Sequence, residues 1–290
     1  MEEYVIFTDS GCDLNPALLK KWGVSFCNMT FKFDGEEREH TNQDMAAASF
    51  YQKMREGGVA KTSAINPETF LGEFEEILQQ GKDVLYIGFS SGLSSTYNAA
   101  RVAAASLRTD YPQRRVLTVD SLSGSAGQGL LVYLTVLQQR KGATLDEAAA
   151  FVERMRFCIC HWVTVDDLIY LKRGGRIGAK TAFFGNMLGL KPVLYINDEG
   201  KLVAASKARG RKKAIEYLIA KYGEMTDRIS DGTVFVSHAD CDTDAAFLAN
   251  SLRDRYNVSV KVISAIGSVI GAHGGPGSLA IFFVGKGRNA

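Results

Sequence analysis

The sequence predicts an α/β protein of two domains, on three observations. Short apolar runs alternate with longer helical patterns through the first half of the chain. The second half interrupts that alternation with a hairpin. At 290 residues, the chain is long enough for two hydrophobic cores. Residues 1–157 are expected to form a mostly parallel three-layer α/β/α domain, and residues 158–290 a mixed α/β sheet.

Residues 4–8, 24–31, 84–89 and 116–119 read as strands. Residues 45–56, 67–80, 97–107 and 129–140 carry helical periodicity, and a helix over 145–156 closes the unit. Strand–helix alternation needs crossovers, hence parallel pairing with helices on both faces. Further on, residues 193–196 and 202–205 flank Asn197-Asp198-Glu199-Gly200-Lys201, a turn-forming loop suited to a hairpin. Helices over 211–222 and 245–255 follow, with strands over 234–237, 258–263 and 279–284. A hairpin inside an α/β pattern makes the second sheet mixed. The boundary is placed near Phe157, and with no repeat or low-complexity linker the domains are expected to pack closely.

Composition narrows the function classes. The chain is 46% apolar and 23% charged with a net charge of +2, which does not suit a nucleic-acid binder or a protein held on an anionic membrane by charge. The N-terminal residues run straight into a strand pattern without the positive start of a secretory signal. The apolar window over 130–137 is too short to cross a bilayer. Five cysteines, at 12, 27, 158, 160 and 241, are scattered and odd in number, unlike a disulfide framework. A cytoplasmic protein without integral membrane association is expected.

Several strands end in small hydroxylated or acidic residues: Thr8-Asp9-Ser10, Ser90-Ser91 and Asp120-Ser121. In a parallel sheet those ends share one edge, where ligands of open α/β folds bind. Helix capping is the better explanation of any one of them, and it is their recurrence on one edge that argues for a ligand. Before one helix, Asn66 suits the cap and Pro67 the first turn, leaving Thr62 and Ser63 free in the approach. Gly92-Leu93-Ser94-Ser95-Thr96-Tyr97 opens another helix, whose N–H groups and dipole favour an anion. Two such loops at one edge suit a carboxylate or phosphate.

The sharpest rival is a serine hydrolase. Gly88-Phe89-Ser90-Ser91-Gly92 matches the nucleophile elbow, with Asp166 or Asp167 and then His238 or His273 in hydrolase order. Against it, the glycine-rich segment at 273–277 follows the serine instead of preceding it. The run Gly175–Thr181 approaches a phosphate-binding loop but has Ala179 before Lys180. Cys158-x-Cys160-His161 lacks zinc spacing, and His40, His161 and His238 suit surface or structural roles. No catalytic residue, metal or cofactor is therefore expected. Residues 183–190 suit either an apolar tunnel or core. Lys207, Arg209, Arg211, Lys212 and Lys213 suit either an acidic partner or a solvated face.

Six segments in order resemble the DegV family of bacterial fatty-acid-binding proteins across nearly the whole chain. They are Thr8-Asp9-Ser10, Thr62-Ser63 with Pro67, Ser90-Ser91-Gly92-Leu93-Ser94-x-Thr96-Tyr97, Val119-Asp120-Ser121, Leu168-x-Tyr170-Leu171-x-Arg173-Gly174-Gly175-Arg176-Ile177 and His273-x-Gly275-Pro276-Gly277. The resemblance implies a long-chain fatty acid held between two α/β domains. Its carboxylate would be hydrogen-bonded by Thr62 and Ser94, with His273, Arg173 and Ser63 near the head group and the acyl chain in the second domain. It also implies a fatty-acid kinase as partner, to which the bound acid is presented for phosphorylation. The chain departs from the family where Ala64-Ile65-Asn66 replaces the frequent Gln-Pro-Ser and where Ser95 replaces a usual glycine.

Overall fold

The computed structural model describes residues 3–178, 189–227 and 232–288. In the first half the strands are β1 (Tyr4–Asp9), β2 (Val24–Cys27), β3 (Thr30–Phe33), β4 (Ala60–Ser63), β5 (Asp83–Gly88) and β6 (Val116–Asp120). The helices are α1 (Pro16–Trp22), α2 (Ala47–Arg55), α3 (Pro67–Gln79), α4 (Thr96–Asp110), α5 (Ala126–Arg140) and α6 (Leu145–Met155). Four strands form an all-parallel sheet in the order β2-β1-β5-β6.

Its two central strands, β1 and β5, are buried on both faces, and alternate residues enter different cores. Phe7, Val84 and Tyr86 pack with Phe70 and Phe74 of α3 and Ala100 and Ala103 of α4. Ile6, Leu85 and Ile87 pack with Leu130 and Leu131 of α5 and Ala148 and Val152 of α6. Local signals set the helix starts. Asn66 accepts from the Thr69 N–H with Pro67 in the first turn, and Thr144 with Glu147 closes a capping box on α6.

The second half contributes β7 (Ile159–Thr164), α7 (Ile169–Arg173), β8 (Leu190–Ile196), β9 (Leu202–Arg209), α8 (Arg211–Met225), β10 (Thr233–His238), α9 (Asp242–Tyr256), β11 (Ser259–Ala265), α10 (Ser268–Gly274) and β12 (Leu279–Val284). Six of these strands form a mixed sheet in the order β11-β10-β12-β7-β8-β9, in which β10 and β11 run parallel and the other pairs antiparallel. The expected β8–β9 hairpin is present. Its turn is held by Asn197 Oδ1, which accepts from the Glu199 and Lys201 N–H groups.

The two sheets share α5. Its first seven residues are all buried, and its core includes Phe235, Ala280 and Phe282 of the mixed sheet. A helix apolar all round is a helix covered all round, which accounts for the apolar window at 130–137. Among the described residues, no helix is long and apolar enough to cross a membrane.

Several sequence expectations need correction. Residues 24–31 are two strands: β2 joins the parallel sheet, whereas β3 leaves it to pair antiparallel with β4. An apolar run shows burial but not which sheet supplies the partner. The strands β4 and β7 and the helices α1, α7 and α10 were not anticipated. All strands of the parallel sheet precede residue 157 and all those of the mixed sheet follow it. The segment around α10 nevertheless packs in the first half's core, where Ile266, Val269 and Ala272 meet Phe31, Phe50 and Tyr51. Three hydrogen bonds hold its start. Tyr51 Oη donates to the Ile266 carbonyl, Asp13 accepts from the Gly267 N–H, and Asn42 accepts from the Val269 N–H. Residues 183–188 of the suggested tunnel stretch lie outside the described residues.

Candidate ligand-binding site

The carboxyl ends of β1, β5 and β6 share one edge of the parallel sheet, as the register of Gly88 with Asp120 requires. The buried Asp9 carboxylate organises it. It accepts from Tyr86 Oη at 2.6 Å, the Phe89 N–H at 2.8 Å and the Gly11 N–H at 2.9 Å. The Gln128 Nε2 donates to it as well, at 3.3 Å, and burial raises its pKa against these four donors. Asp120 likewise accepts from the Ser91 and Leu122 N–H groups. These acids shape loops and do not face a ligand.

Beside that edge lies a cavity of about 320 Å³, within the range of small-molecule sites. One end is polar, formed by Thr62 and Ser63 from β4, Ser94 and Ser95 before α4, Arg176 after α7 and His273 on α10. The rest is mostly apolar, including Phe89, Leu93, Val163, Val165, Leu171 and Phe282. No Asp or Glu is among the lining residues.

Thr62 and His273 meet although 211 positions separate them, with Oγ1 and Nε2 2.9 Å apart. Burial, and secondarily the Arg176 charge, lower the His273 pKa to about 4, so the ring is neutral at pH 7. Nδ1 has no protein partner and faces Gly174, where a Cβ would stand only 2.1 Å away. With the ring proton on Nε2, His273 donates to Thr62 Oγ1 and leaves the threonine proton for an acceptor in the cavity.

Ser94 Oγ accepts from the Thr96 N–H at 3.2 Å and lies 2.9 Å from Thr96 Oγ1. Its hydroxyl therefore sits over the first turn of the 15-residue α4, where the dipole favours an anion. Arg176 spans the two loops, donating from Nε to the Leu93 carbonyl at 3.1 Å and from Nη1 to the Gly174 carbonyl at 2.5 Å. Two hydroxyls, a helix start and a guanidinium thus converge on one end of an apolar cavity. That arrangement suits a carboxylate with a long hydrocarbon tail.

The chain matches, over residues 3–286, the model of a family described as uncharacterised DegV proteins. It belongs to the DegV family. A DegV domain-containing protein of Clostridium perfringens is 39% identical over 286 residues, covering 98% of each chain. Among solved structures, a fatty-acid-binding DegV protein from Thermus thermophilus superposes with TM-score 0.87 at 30% identity, covering 98% of this chain and 100% of that one. A stearic-acid-binding protein from Eubacterium ventriosum gives TM-score 0.87 at 26% identity, covering 98% of each chain. The mixed α/β architecture is thus that of DegV structures.

Against that DegV frame, the expected site residues separate. Thr62, Ser94 and His273 line one end of the cavity together. Ser63 lines it too, but its hydroxyl donates to Glu39 at 2.9 Å. Arg173 is exposed, 5.9 Å from the Tyr170 ring, and outside the lining; the guanidinium in the cavity wall is that of Arg176. Both arginines belong to the motif quoted above, and only the turn after α7 distinguishes them. Ser90 is fully buried and donates to the Gly200 carbonyl at 2.8 Å, with no histidine among its hydrogen-bond partners. His238 accepts from the Cys241 N–H and lies 3.7 Å from Asp242. Nothing here supports the hydrolase. Arg211, one of the cluster of basic residues, pairs with Asp244 and Asp166.

Proposed function

We propose that this DegV protein binds one long-chain fatty acid in the cavity, with the carboxylate on Thr62 and Ser94 and the tail along the apolar wall. Residues 1–157 would supply most of the head-group loops, and residues 158–290 much of the wall. The observation that carries the reading is the convergence of Thr62, Ser94 and His273 at the polar end of an otherwise largely apolar cavity. The fatty-acid-binding relatives support it.

Energetics support the same division of work. Burying methylenes contributes about 0.8 kcal/mol each, so some fourteen supply roughly 11 kcal/mol gross. A hydrogen bond to the carboxylate contributes only about 1.5–3 kcal/mol. The tail therefore sets affinity and the hydroxyls set orientation. An oriented carboxylate at the cavity end suits presentation to a fatty-acid kinase in the cytoplasm. In this reading the chain carries the acid and is not an enzyme.

Organic extraction of the purified protein followed by mass spectrometry tests the proposal. A long-chain fatty acid in near-stoichiometric amount is expected. Recovery of no acyl species, with no uptake of added palmitate or oleate, would overturn it. With a fatty-acid kinase and ATP, acyl phosphate should form from the bound acid.

A further inference from the structure

Phe89 lines the cavity just after β5, and hydrogen bonds fix the main chain around it. The Asp9 carboxylate accepts from the Phe89 N–H through one oxygen and from the Gly11 N–H through the other. The Ser90 N–H donates to the Ser123 carbonyl at 2.9 Å, and the Ser121 N–H to the Gly88 carbonyl at 3.1 Å. The chain at residue 89, the turn at Gly11 and the loop over 121–124 are thus one hydrogen-bonded frame.

One edge of the Phe89 ring rests on two glycines of that frame. A Cβ at position 124 would stand 2.5 Å from ring Cε2 and 3.3 Å from both Cδ2 and Cζ, the three nearest atoms it would meet. A Cβ at position 11 would stand 2.7 Å from ring Cδ2 and 2.8 Å from the Met29 methyl. Neither glycine has a positive φ, so backbone conformation does not demand glycine at either place. The ring does. Gly124 also lines the cavity, so a methyl there takes space from it, directly or by displacing the ring.

The contact lies away from the head group. α10 lines the cavity with Val269, Ile270 and His273, and the chain advances about 9 Å along it from Gly267 to His273. His273 stands at the polar end with Thr62. At the other end the Gly267 N–H donates to Asp13, which also accepts from the hydroxyl of Ser125, the neighbour of Gly124. The ring edge on Gly124 therefore faces the part of the cavity remote from Thr62.

Resting on the fatty-acid reading, we propose that Phe89, seated on Gly11 and Gly124, sets the longest acyl chain the cavity accepts. Each methylene buried in apolar surroundings should raise affinity about fourfold. The gain ends at the carbon that meets the ring, because main chain behind the ring leaves it nowhere to withdraw and extra methylenes then force strain. A smaller side chain at 89 moves that limit outward, and a methyl at 124 moves it inward.

Competition against a fluorescent fatty acid, with straight saturated acids from decanoic to docosanoic, tests this. In the parent the limit is the length beyond which affinity stops rising. In Phe89→Leu it should move about two carbons longer, so that the first acid past the parent's limit binds about tenfold more tightly than the acid at that limit. In Gly124→Ala it should move about two carbons shorter. Each protein is read against its own series, so a variant that is merely less stable weakens every acid alike and leaves its limit in place. An unmoved limit in either folded variant would overturn the proposal and send the tail towards Leu171 and Leu202 instead. Affinity still rising at docosanoic acid in the parent would overturn it too. The two variants are independent, so one decides if the other does not fold, and Phe89→Met provides a third. Failure of every acid to bind the parent would remove the fatty-acid reading and this inference with it, an outcome distinct from an unmoved limit.

Discussion

The two ends of the cavity are built by different means. The polar end is assembled from short segments remote in sequence: Thr62 on the two-stranded β3–β4 ribbon, Ser94 before α4, Arg176 after α7 and His273 on α10. The wall is mostly secondary structure, with Val163 on β7 and Ala280 and Phe282 on β12 each placed by strand register. The difference teaches which property each end controls. Apolar contact adds in proportion to area and tolerates small shifts, whereas a hydrogen bond to a carboxylate depends on placement within a few tenths of an ångström. On the proposed reading, the wall would retain the tail and the polar end would orient the acid.

The largest effect should come from breaking the wall. Val163→Glu puts an unpaired carboxylate among apolar neighbours, at a cost of several kcal/mol. Stearic acid affinity should fall by about a hundredfold or more, read by fluorescent displacement, while circular dichroism stays that of the parent. Unchanged affinity would mean that the tail does not run along β7.

Breaking the head-group end should do less to binding. Thr62→Ala or Ser94→Ala each removes one donor from a buried charge, costing roughly 1–3 kcal/mol, and the double variant should lose more. Lipid should still be bound in each single variant. Transfer of phosphate by a partner kinase should fall further than affinity, because reaction needs one orientation of the carboxylate and retention of the tail does not. A double variant that binds like the parent would reduce these residues to helix caps.

The smallest effect concerns pH and sets the two ends against each other. His273, held at about 4 against an ordinary 6.5, is neutral when folded while the unfolded ring takes up a proton. Its contribution to stability is complete above pH 6.5 and is lost as pH falls towards 4. Asp13, buried and accepting from the Ser125 hydroxyl and the Gly267 N–H, runs the other way. Burial raises it to about 7 against 3.8, so its contribution is complete below pH 3.8 and is lost as pH rises through 7. The two windows overlap between about pH 4 and 6.5 with opposite slopes, so relative to the parent the urea midpoint should fall with rising pH in His273→Gln and climb with rising pH in Asp13→Asn. Parallel curves for all three proteins would show that neither group is shifted.

What the sequence determined by itself was local. Hydrophobic period set the α/β alternation, the parallel first sheet and the β8–β9 hairpin. Asn66 with Pro67 marked the start of α3, hydroxyls ahead of two helices drew attention to Thr62 with Ser63 and to the run over 92–97, and the family resemblance singled out Thr62 and Ser94 among them. These signals survive in one dimension because period and capping involve residues a few positions apart. Only the tertiary structure decided which sheet each apolar run would join. It split 24–31 between two sheets, paired β3 with β4, and returned α10 to the first core to bring His273 to Thr62. It also chose Arg176 over Arg173. α7 ends at Arg173, and Gly174 followed by Gly175 at φ +69° turns the chain, so that Arg176 reaches the Leu93 carbonyl while Arg173 stays outside. Strand pairing and packing are contacts between distant positions, and their energies depend on neighbours that no local window contains.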